Sequence, residues 1–376
     1  FCCICKLNSA DSDKIEPEYG ERTVLIYMAA DNNLNKDGET NIKSILKGME
    51  QTAGRLVIYI DPRYDVPRLL TVKGGKGCRL DTLETYTEEN SASPEVLARV
   101  VKEVQKRYPA SSYGLVLWSH GLGWVPPEYS FPGGYAMRLP DPDMPRTKYY
   151  AEDEHPGTTG KAYMDIREMA ARLPGHFNFI LWDVCFMGGI EVAYELRNKT
   201  DYMIASPAEV ISDGFPYEKI VPLFWGGEEA MKQICREYYN HYNKYPVNSL
   251  WRSAVVGLVK TEELEPLAAK VRTLLAGKTD YARAWHYPLN QGGLPMVFFD
   301  FGDYIRKMTT EEEYNSFKKL LDRVVIYKAA TEKLFGEEVP ADKFSGLTSY
   351  IPFSEWSDMN TYYYTLDWGA TVYENN

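Results

Sequence analysis

The sequence predicts an α/β protein whose mostly parallel sheet is covered by helices on both faces. Short, continuous apolar runs such as 23–30 and 55–61 are typical of strands that are buried on both sides. Stretches with apolar residues three and four positions apart separate these runs, as the crossover helices of a parallel sheet do. Because 44% of the 376 residues are apolar and 25% are charged, the chain can form a buried core.

The first half of the chain alternates strands and helices with clear boundary signals. Ser93 is a good N-cap and Pro94 suits the first helical position, so a helix begins there. Gly74, Gly75 and Gly77 lie between two short β-type runs and predict a hairpin. In chain order we expect a strand at 23–30, a helix through Ile42 to Met49, a strand at 55–61, a hairpin at 68–86, a helix from Pro94 and a strand at 113–119.

The second half repeats this alternation after a long Gly-, Pro- and charge-rich loop at 122–162. The expected elements are helices at 165–173, 190–197, 229–245, 262–275 and 311–335, strands at 177–182, 202–206 and 253–259, and short β segments at 296–300 and 346–352. We expect the strand at 253–259 to complete the sheet. The predicted organisation is therefore an N-terminal segment at 1–21, a sheet domain at 22–260 and a smaller α+β domain at 261–376.

The charge balance and the apolar runs exclude some classes of protein. The 42 Lys and Arg against 53 Asp and Glu give a net charge of −11, and no basic cluster suggests nucleic-acid binding. No apolar run reaches the roughly 18 residues of a membrane-spanning helix. Cys2, Cys3 and Cys5, followed by polar residues, resemble the end of an export signal, so we expect a monomer that is secreted or lipid-anchored at a bacterial surface.

Two reactive side chains follow apolar strands. His120 comes directly after the strand at 113–119, and Cys185 follows the strand at 177–182. Because parallel strands bring their carboxyl ends to one edge, these side chains can be neighbours, and an imidazole activates a thiol as a nucleophile. Gly121 would let a backbone N–H approach a developing oxyanion. The arrangement suits acyl transfer, while the alternative is an inert core thiol and a structural histidine.

Three ordered motifs at 23–33, 117–121 and 181–188 make the chain resemble the clostripain family of cysteine peptidases, which shares the caspase and gingipain fold. The resemblance covers most of residues 23–225. It implies a caspase-like fold in which Cys185 is the nucleophile and His120 is the base. It also implies that the N–H groups of Gly121 and Cys185 form the oxyanion hole.

The same resemblance implies cleavage after Arg or Lys, with acidic side chains in the S1 pocket. The pocket acids correspond to Asp183, two residues before Cys185, and to Asp213. A carboxylate in a desolvated pocket discriminates strongly in favour of a basic side chain. The alternatives are that Asp183 caps a backbone group at a strand end and that Asp213 is a turn residue before Gly214.

Peptidases of this family are often inactive precursors that cut themselves after a basic residue between the His and Cys motifs. Here that segment is the loop at 122–162, and the candidates are Arg146 or Lys148, followed by Arg138. An exposed loop with basic residues is a plausible substrate for such an enzyme. The alternative is a solvated loop that is never cut.

No cofactor is expected for the chemistry, because His155, His176, His241 and His286 show no ligand spacing. Some members of the family are stimulated by Ca²⁺, for which acidic loop residues offer oxygen ligands, namely Asp141, Asp143, Glu152, Asp153 and Glu154. The predicted function is a cysteine endopeptidase acting on peptides or proteins with a basic P1 residue. The alternatives are a catalytically silent peptide-binding surface protein on the same fold and a peptidase of different specificity.

Overall fold

A computed structural model describes residues 20–126, 143–148, 164–290 and 296–373. The strands are β1 Gly20–Ala30, β2 Arg55–Pro62, β3 Arg68–Lys73, β4 Arg79–Thr85, β5 Ala110–Trp118, β6 Phe177–Asp183, β7 Thr200–Ala205, β8 Val255–Lys260, β9 Phe299–Asp300, β10 Val325–Ala330, β11 Lys333–Leu334, β12 Glu337–Glu338 and β13 Thr348–Ser349. The helices are α1 Asn35–Met49, α2 Pro94–Arg107, α3 Ile166–Arg172, α4 Ile190–Glu195, α5 Tyr217–Ile220, α6 Glu228–Asn243, α7 Leu264–Leu275, α8 Phe301–Met308, α9 Glu311–Val324, α10 Ser357–Tyr363 and α11 Asp367–Tyr373.

Nine strands form one sheet in the order β10-β8-β7-β6-β5-β1-β2-β3-β4. The five central strands, from β7 to β2, are parallel, and the strands at both ends of the sheet are antiparallel. The central strands are buried on both faces, as their continuous apolar runs predict. The predicted α/β class and mostly parallel sheet are confirmed.

The structure contains the predicted helix cap at Ser93 and the predicted hairpin. The Ser93 side chain accepts hydrogen bonds from the N–H groups of Glu95 and Val96 and caps α2. Strands β3 and β4 pair as the expected hairpin. The four helices α5, α8, α10 and α11 were not anticipated, since each has only four to eight residues.

The prediction for the far edge of the sheet is wrong. The helix expected at 311–335 ends at Val324, and the chain continues as β10, which pairs antiparallel with β8. β-Branched and aromatic residues at Val325, Ile326 and Tyr327 favour a strand once β8 offers an open edge. β10, rather than the strand at 253–259, therefore completes the sheet.

Residues beyond 260 also contact the start of α4. The Tyr350 N–H donates to Glu191 Oε1 over 2.7 Å, and Gly189 forms a bridge with Thr348. Burial raises the pKa of Glu191 to about 7. The boundary at residue 260 stays a prediction. In the part of the chain that the structure describes, no helix is long and apolar enough to cross a membrane.

The register of the parallel strands sets the location of the site. Met28 of β1 pairs with Trp118 of β5, which in turn pairs with Asp183 of β6. The three strands thus end at the same level. The segments that follow them meet at one edge of the sheet and carry the side chains described next.

Candidate active site

Cys185 lies in the turn after β6, completely buried. Its Sγ accepts a hydrogen bond from the Val210 N–H at 3.0 Å. The next residue, Phe186, has a φ of 61°, a left-handed conformation that costs a non-glycine residue about 1–3 kcal/mol. Burial, followed by the charge of Glu209, raises the pKa of the Cys185 thiol well above its usual value. The thiol is therefore protonated in this form and needs a base to react.

His120 lies just after β5, and its imidazole is nearly buried. Nε2 lies 2.8 Å from Asn33 Oδ1. In the tautomer in which Nε2 donates to this oxygen, Nδ1 has a free lone pair. Nδ1 has no hydrogen-bond partner among the described residues. Burial is the largest influence on the His120 pKa and lowers it to about 3. The imidazole is thus neutral at pH 7, as a general base must be.

Gly121 brings the histidine loop against the cysteine loop. A Cβ at this position would lie 2.3 Å from Val184 Cγ1 and 3.5 Å from the Cys185 carbonyl oxygen. Any side chain would push the two loops apart. The Gly121 N–H donates to the carbonyl oxygen of Lys148 at 3.3 Å.

Residues 146–148 lie along the segment after β7 as an added β-strand. The Lys148 N–H donates to the Val210 carbonyl at 2.8 Å, and the Ser212 N–H donates to the Arg146 carbonyl at 2.8 Å. Between them, Thr147 forms an antiparallel bridge with Ile211. Proteins often bind extended peptides in this way, by main-chain hydrogen bonds to an open strand. Val210 thus contacts both this segment and the Cys185 sulfur.

The Lys148 side chain fills a pocket that ends at Asp183. Lys148 is completely buried, and its Nζ lies 2.8 Å from Asp183 Oδ1 and 4.3 Å from the centre of the Trp118 ring. Burial lowers the Lys148 pKa, while the Asp183 charge opposes this effect. The pairing with a carboxylate and the contact with an aromatic ring both offset the desolvation cost of this buried cation.

Three groups from the chain after β7 shape the same pocket. The Tyr217 hydroxyl donates to Asp183 Oδ2 at 2.9 Å, and the Phe215 N–H approaches this oxygen at 3.4 Å. Gly214 has a φ of 71°, and a Cβ there would lie 2.7 Å from Lys148 Nζ. Asp183 is therefore oriented by its neighbours, and Gly214 leaves room for the cation.

The two residues before Lys148 also make specific contacts. The Thr147 hydroxyl donates to buried Glu209 at 2.6 Å, and Glu209 also accepts from the Asn290 N–H at 2.7 Å. Burial raises the Glu209 pKa to about 7. Arg146 lies against Asp37, with Nη2 3.1 and 2.9 Å from the two carboxylate oxygens. All three side chains of the segment thus meet a carboxyl group.

The sequence-predicted residues fall into groups. His120, Gly121, Asp183, Cys185 and Lys148 come together. The Asp213 side chain is exposed and lines an open cavity of about 740 Å³ that Arg146 also lines. Arg138 and the N-terminal cysteines lie outside the described residues. Of the predicted Ca²⁺ ligands, Asp143 lies within them and the others do not. Within the described ranges, no group of three His, Cys, Asp or Glu could hold a metal ion.

Other residues of the site were not anticipated from the sequence, among them Asn33, Glu209, Asp37 and Asn290. Asn33 follows β1, so the rule that located His120 and Cys185 would also have pointed to it. Glu209, Asp37 and Asn290 come from three separate segments without a motif. Their proximity follows only from the tertiary structure.

Comparisons with known proteins identify the family of this chain. Residues 26–369 match the model of peptidase family C11, the Clostripain family. An inactive zymogen C11 protease from Parabacteroides distasonis is 33% identical, with a TM-score of 0.76 over 95% of this chain and 99% of its own. A secreted C11 cysteine protease from Bacteroides thetaiotaomicron, in complex with an irreversible peptide inhibitor, is 29% identical, with a TM-score of 0.78 over 94% and 99% of the two chains.

Clostripain of Hathewaya histolytica is 26% identical over 228 residues, a match that covers 53% of this chain and 41% of the length of that relative. The family model covers most of the chain, well beyond the motifs around His120 and Cys185. The chain therefore belongs to the clostripain family of peptidases.

Proposed function

We propose that this protein is a cysteine endopeptidase that cleaves after Lys or Arg and is activated by cutting itself after Lys148. The observation that carries the proposal is the position of Lys148. Its side chain reaches Asp183, its N–H binds Val210, and its carbonyl oxygen accepts from the Gly121 N–H. A P1 residue needs these three contacts.

The proposed reaction uses groups of this chain alone. His120 Nδ1 takes the thiol proton, and the Cys185 sulfur attacks the carbonyl carbon of Lys148. The N–H groups of Gly121 and Cys185 stabilise the oxyanion. When the bond to residue 149 breaks, the imidazolium returns the proton to the leaving amine. Water then attacks the thioester while His120 Nδ1 takes a proton from it. The bond between the carbonyl carbon and the Cys185 sulfur breaks, and His120 returns that proton to the sulfur.

Basic specificity is proposed to come from Asp183. A substrate with an uncharged P1 side chain would leave this buried carboxylate without a counter-charge, which is expensive in a desolvated pocket. Asp213 is proposed to add negative charge near the mouth of the pocket. After self-cleavage the segment can leave, and peptide substrates can bind in its place.

The proposal involves two states of the enzyme, an uncut precursor and a form that binds peptides, and two relatives support them. The protein from Parabacteroides distasonis is an inactive zymogen, and the one from Bacteroides thetaiotaomicron is secreted and binds an irreversible peptide inhibitor. By analogy we place this enzyme outside the cytoplasm. Stimulation by Ca²⁺, lipid attachment at an N-terminal cysteine and a monomeric state remain predictions.

The proposal is tested by incubating the purified chain and identifying its fragments by mass spectrometry. We expect a new N-terminus at residue 149, followed by cleavage of peptides that end in Lys or Arg. Cys185→Ala and Lys148→Met should stay intact, whereas Lys148→Arg should still be cut at the same bond.

Cys235→Ala is the matched control, because Cys235 is equally buried but lies in α6. This variant should cut itself like the parent. A Cys185→Ala protein that still produces the fragment would disprove the nucleophile assignment. A parent that cleaves no basic peptide and takes no label from a basic covalent probe would disprove the proposed function.

A further inference from the structure

The contact between Arg146 and Asp37 occupies a defined position relative to the proposed cleavage site. Arg146 is two residues before Lys148, so it corresponds to the P3 residue of a substrate. Its guanidinium contacts both oxygens of Asp37, whose side chain is only 13% exposed. Asp37 lies in the first turn of α1, where the helix dipole favours a negative charge.

The main chain fixes which side chain reaches Asp37. The hydrogen bonds at Val210 and Ser212 involve only backbone groups of the bound segment, so peptides of other sequence can make them too. In an extended strand, alternate side chains lie on the same face. The P1 and P3 side chains therefore face Asp183 and Asp37. Burial lowers the pKa of Lys148, and the charge of Asp37 is one of the influences that raise it.

The Arg146 side chain is largely open to solvent, so a side chain of another molecule can reach this position once residues 143–148 have left. Arg146 is 62% exposed and lines the open cavity of about 740 Å³ together with Ser212, Asp213 and Trp251. Asp213 adds a second negative charge at this rim. The position is thus acidic and accessible from solvent.

We propose that Asp37 is a specificity-determining residue that selects substrates with Arg or Lys at P3. This inference rests on the proposed function and extends it. The substrates of the enzyme then carry two basic residues separated by one residue, as Arg146 and Lys148 are. Because the pair is partly exposed, the expected preference is modest, about three- to fivefold in kcat/KM at low salt.

The test compares fluorogenic peptides that differ only at P3, using the self-cleaved protein. Acetyl-Arg-Thr-Lys, acetyl-Gln-Thr-Lys and acetyl-Glu-Thr-Lys coumarin amides keep P2 and P1 constant. We expect kcat/KM to fall from Arg to Gln to Glu. Asp37→Asn should reduce the ratio between the Arg and Gln peptides to about one, and Asp37→Lys should make the Glu peptide the best substrate.

Glu39→Gln is the matched control, since it removes an equal charge from the same helix at a residue that contacts Asn35. It should retain the parent preference. Equal kcat/KM for the three peptides in the parent, or an unchanged preference in Asp37→Asn, would overturn this inference and leave the proposed function intact. A protein that cleaves none of the peptides would overturn the proposed function, and this inference with it.

Discussion

Arg146 and Lys148 are two residues apart on one strand, and each pairs with an aspartate, but their surroundings differ. The Lys148 and Asp183 side chains are both fully buried, whereas Arg146 is 62% exposed. Removing one partner of a buried ion pair costs about 3–5 kcal/mol, while an exposed pair contributes about 0.2–1 kcal/mol. Burial, rather than charge, thus decides which residue can act as a strict P1 residue.

The two sites also differ in what surrounds the carboxylate. Asp183 is held by Tyr217 and Phe215, so it is oriented before a cation arrives. Asp37 lies at a helix start, and Arg146, its partner, lines an open cavity. The buried site is suited to strict selection, and the open site is suited to a graded preference.

The largest expected effect is that of Asp183→Asn. The substitution keeps the shape of the side chain but leaves the Lys148 cation without a counter-charge, so self-cleavage should slow by at least about 100-fold. Asp37→Asn, the same change at the open site, should slow it by no more than about fivefold. The fraction of cut chain over time, read from denaturing gels, measures both.

A double variant separates loss of fold from loss of recognition. In a Cys185→Ala background, Asp183→Asn should lower the Tm, and adding Lys148→Met should recover most of this loss because no charge is left buried. If Asp183→Asn processes at the parent rate, the buried pair is not what positions Lys148.

The next largest effect is expected for Gly214→Ala. A Cβ there would lie 2.4 Å from Asp183 Oδ2 and 2.7 Å from Lys148 Nζ, so self-cleavage should slow by about tenfold or more. The positive φ adds a loss in unfolding free energy of about 1 kcal/mol.

Gly77→Ala provides the comparison for this prediction. Gly77 has a φ of 80° and open space around it, so alanine brings the same backbone cost without a contact. Its self-cleavage should match the parent, as measured by the same gel assay alongside thermal unfolding. Equal slowing in both variants would attribute the effect to backbone strain instead of the pocket.

The strand-end rule explains how much of the site the sequence could predict. His120 and Cys185 follow apolar runs, and parallel strands bring such positions together without knowledge of side-chain packing. Asn33 obeys the same rule but carries no reactive group that would draw attention to it. The fold was predictable for a similar reason, since each central strand is a continuous apolar run.

Other features depended on tertiary contacts. The sequence named Arg146 and Lys148 as equal candidates because exposure cannot be inferred from a loop without periodicity. Strand β10 was missed because its pairing with β8 overrides the helical pattern that precedes it. The contacts of Asp37 with Arg146 and of Glu209 with Thr147 likewise join segments far apart in the chain.

A smaller effect is expected for Arg146→Gln. Its pair with Asp37 is partly exposed, so self-cleavage should change by no more than about fivefold. Arg172→Gln, which removes an exposed arginine paired with Glu95 and Glu168, should have no effect. The rate is measured as the fraction of cut chain over time. A new N-terminus at residue 147, instead of 149, in the parent protein would identify Arg146 as the P1 residue.

The smallest effect is expected on lowering the pH, because His120 is buried. Burial lowers the His120 pKa to about 3, so the neutral base persists well below the usual value of about 6.5. Self-cleavage at pH 5 should therefore stay within about twofold of that at pH 7. Self-cleavage is measured in the Glu209→Gln variant. Glu209 contacts Thr147 and has a pKa of about 7, so in the parent its own titration would change the rate in the same pH range. An acid limb centred near 6.5 would mean that His120 is solvated before cleavage.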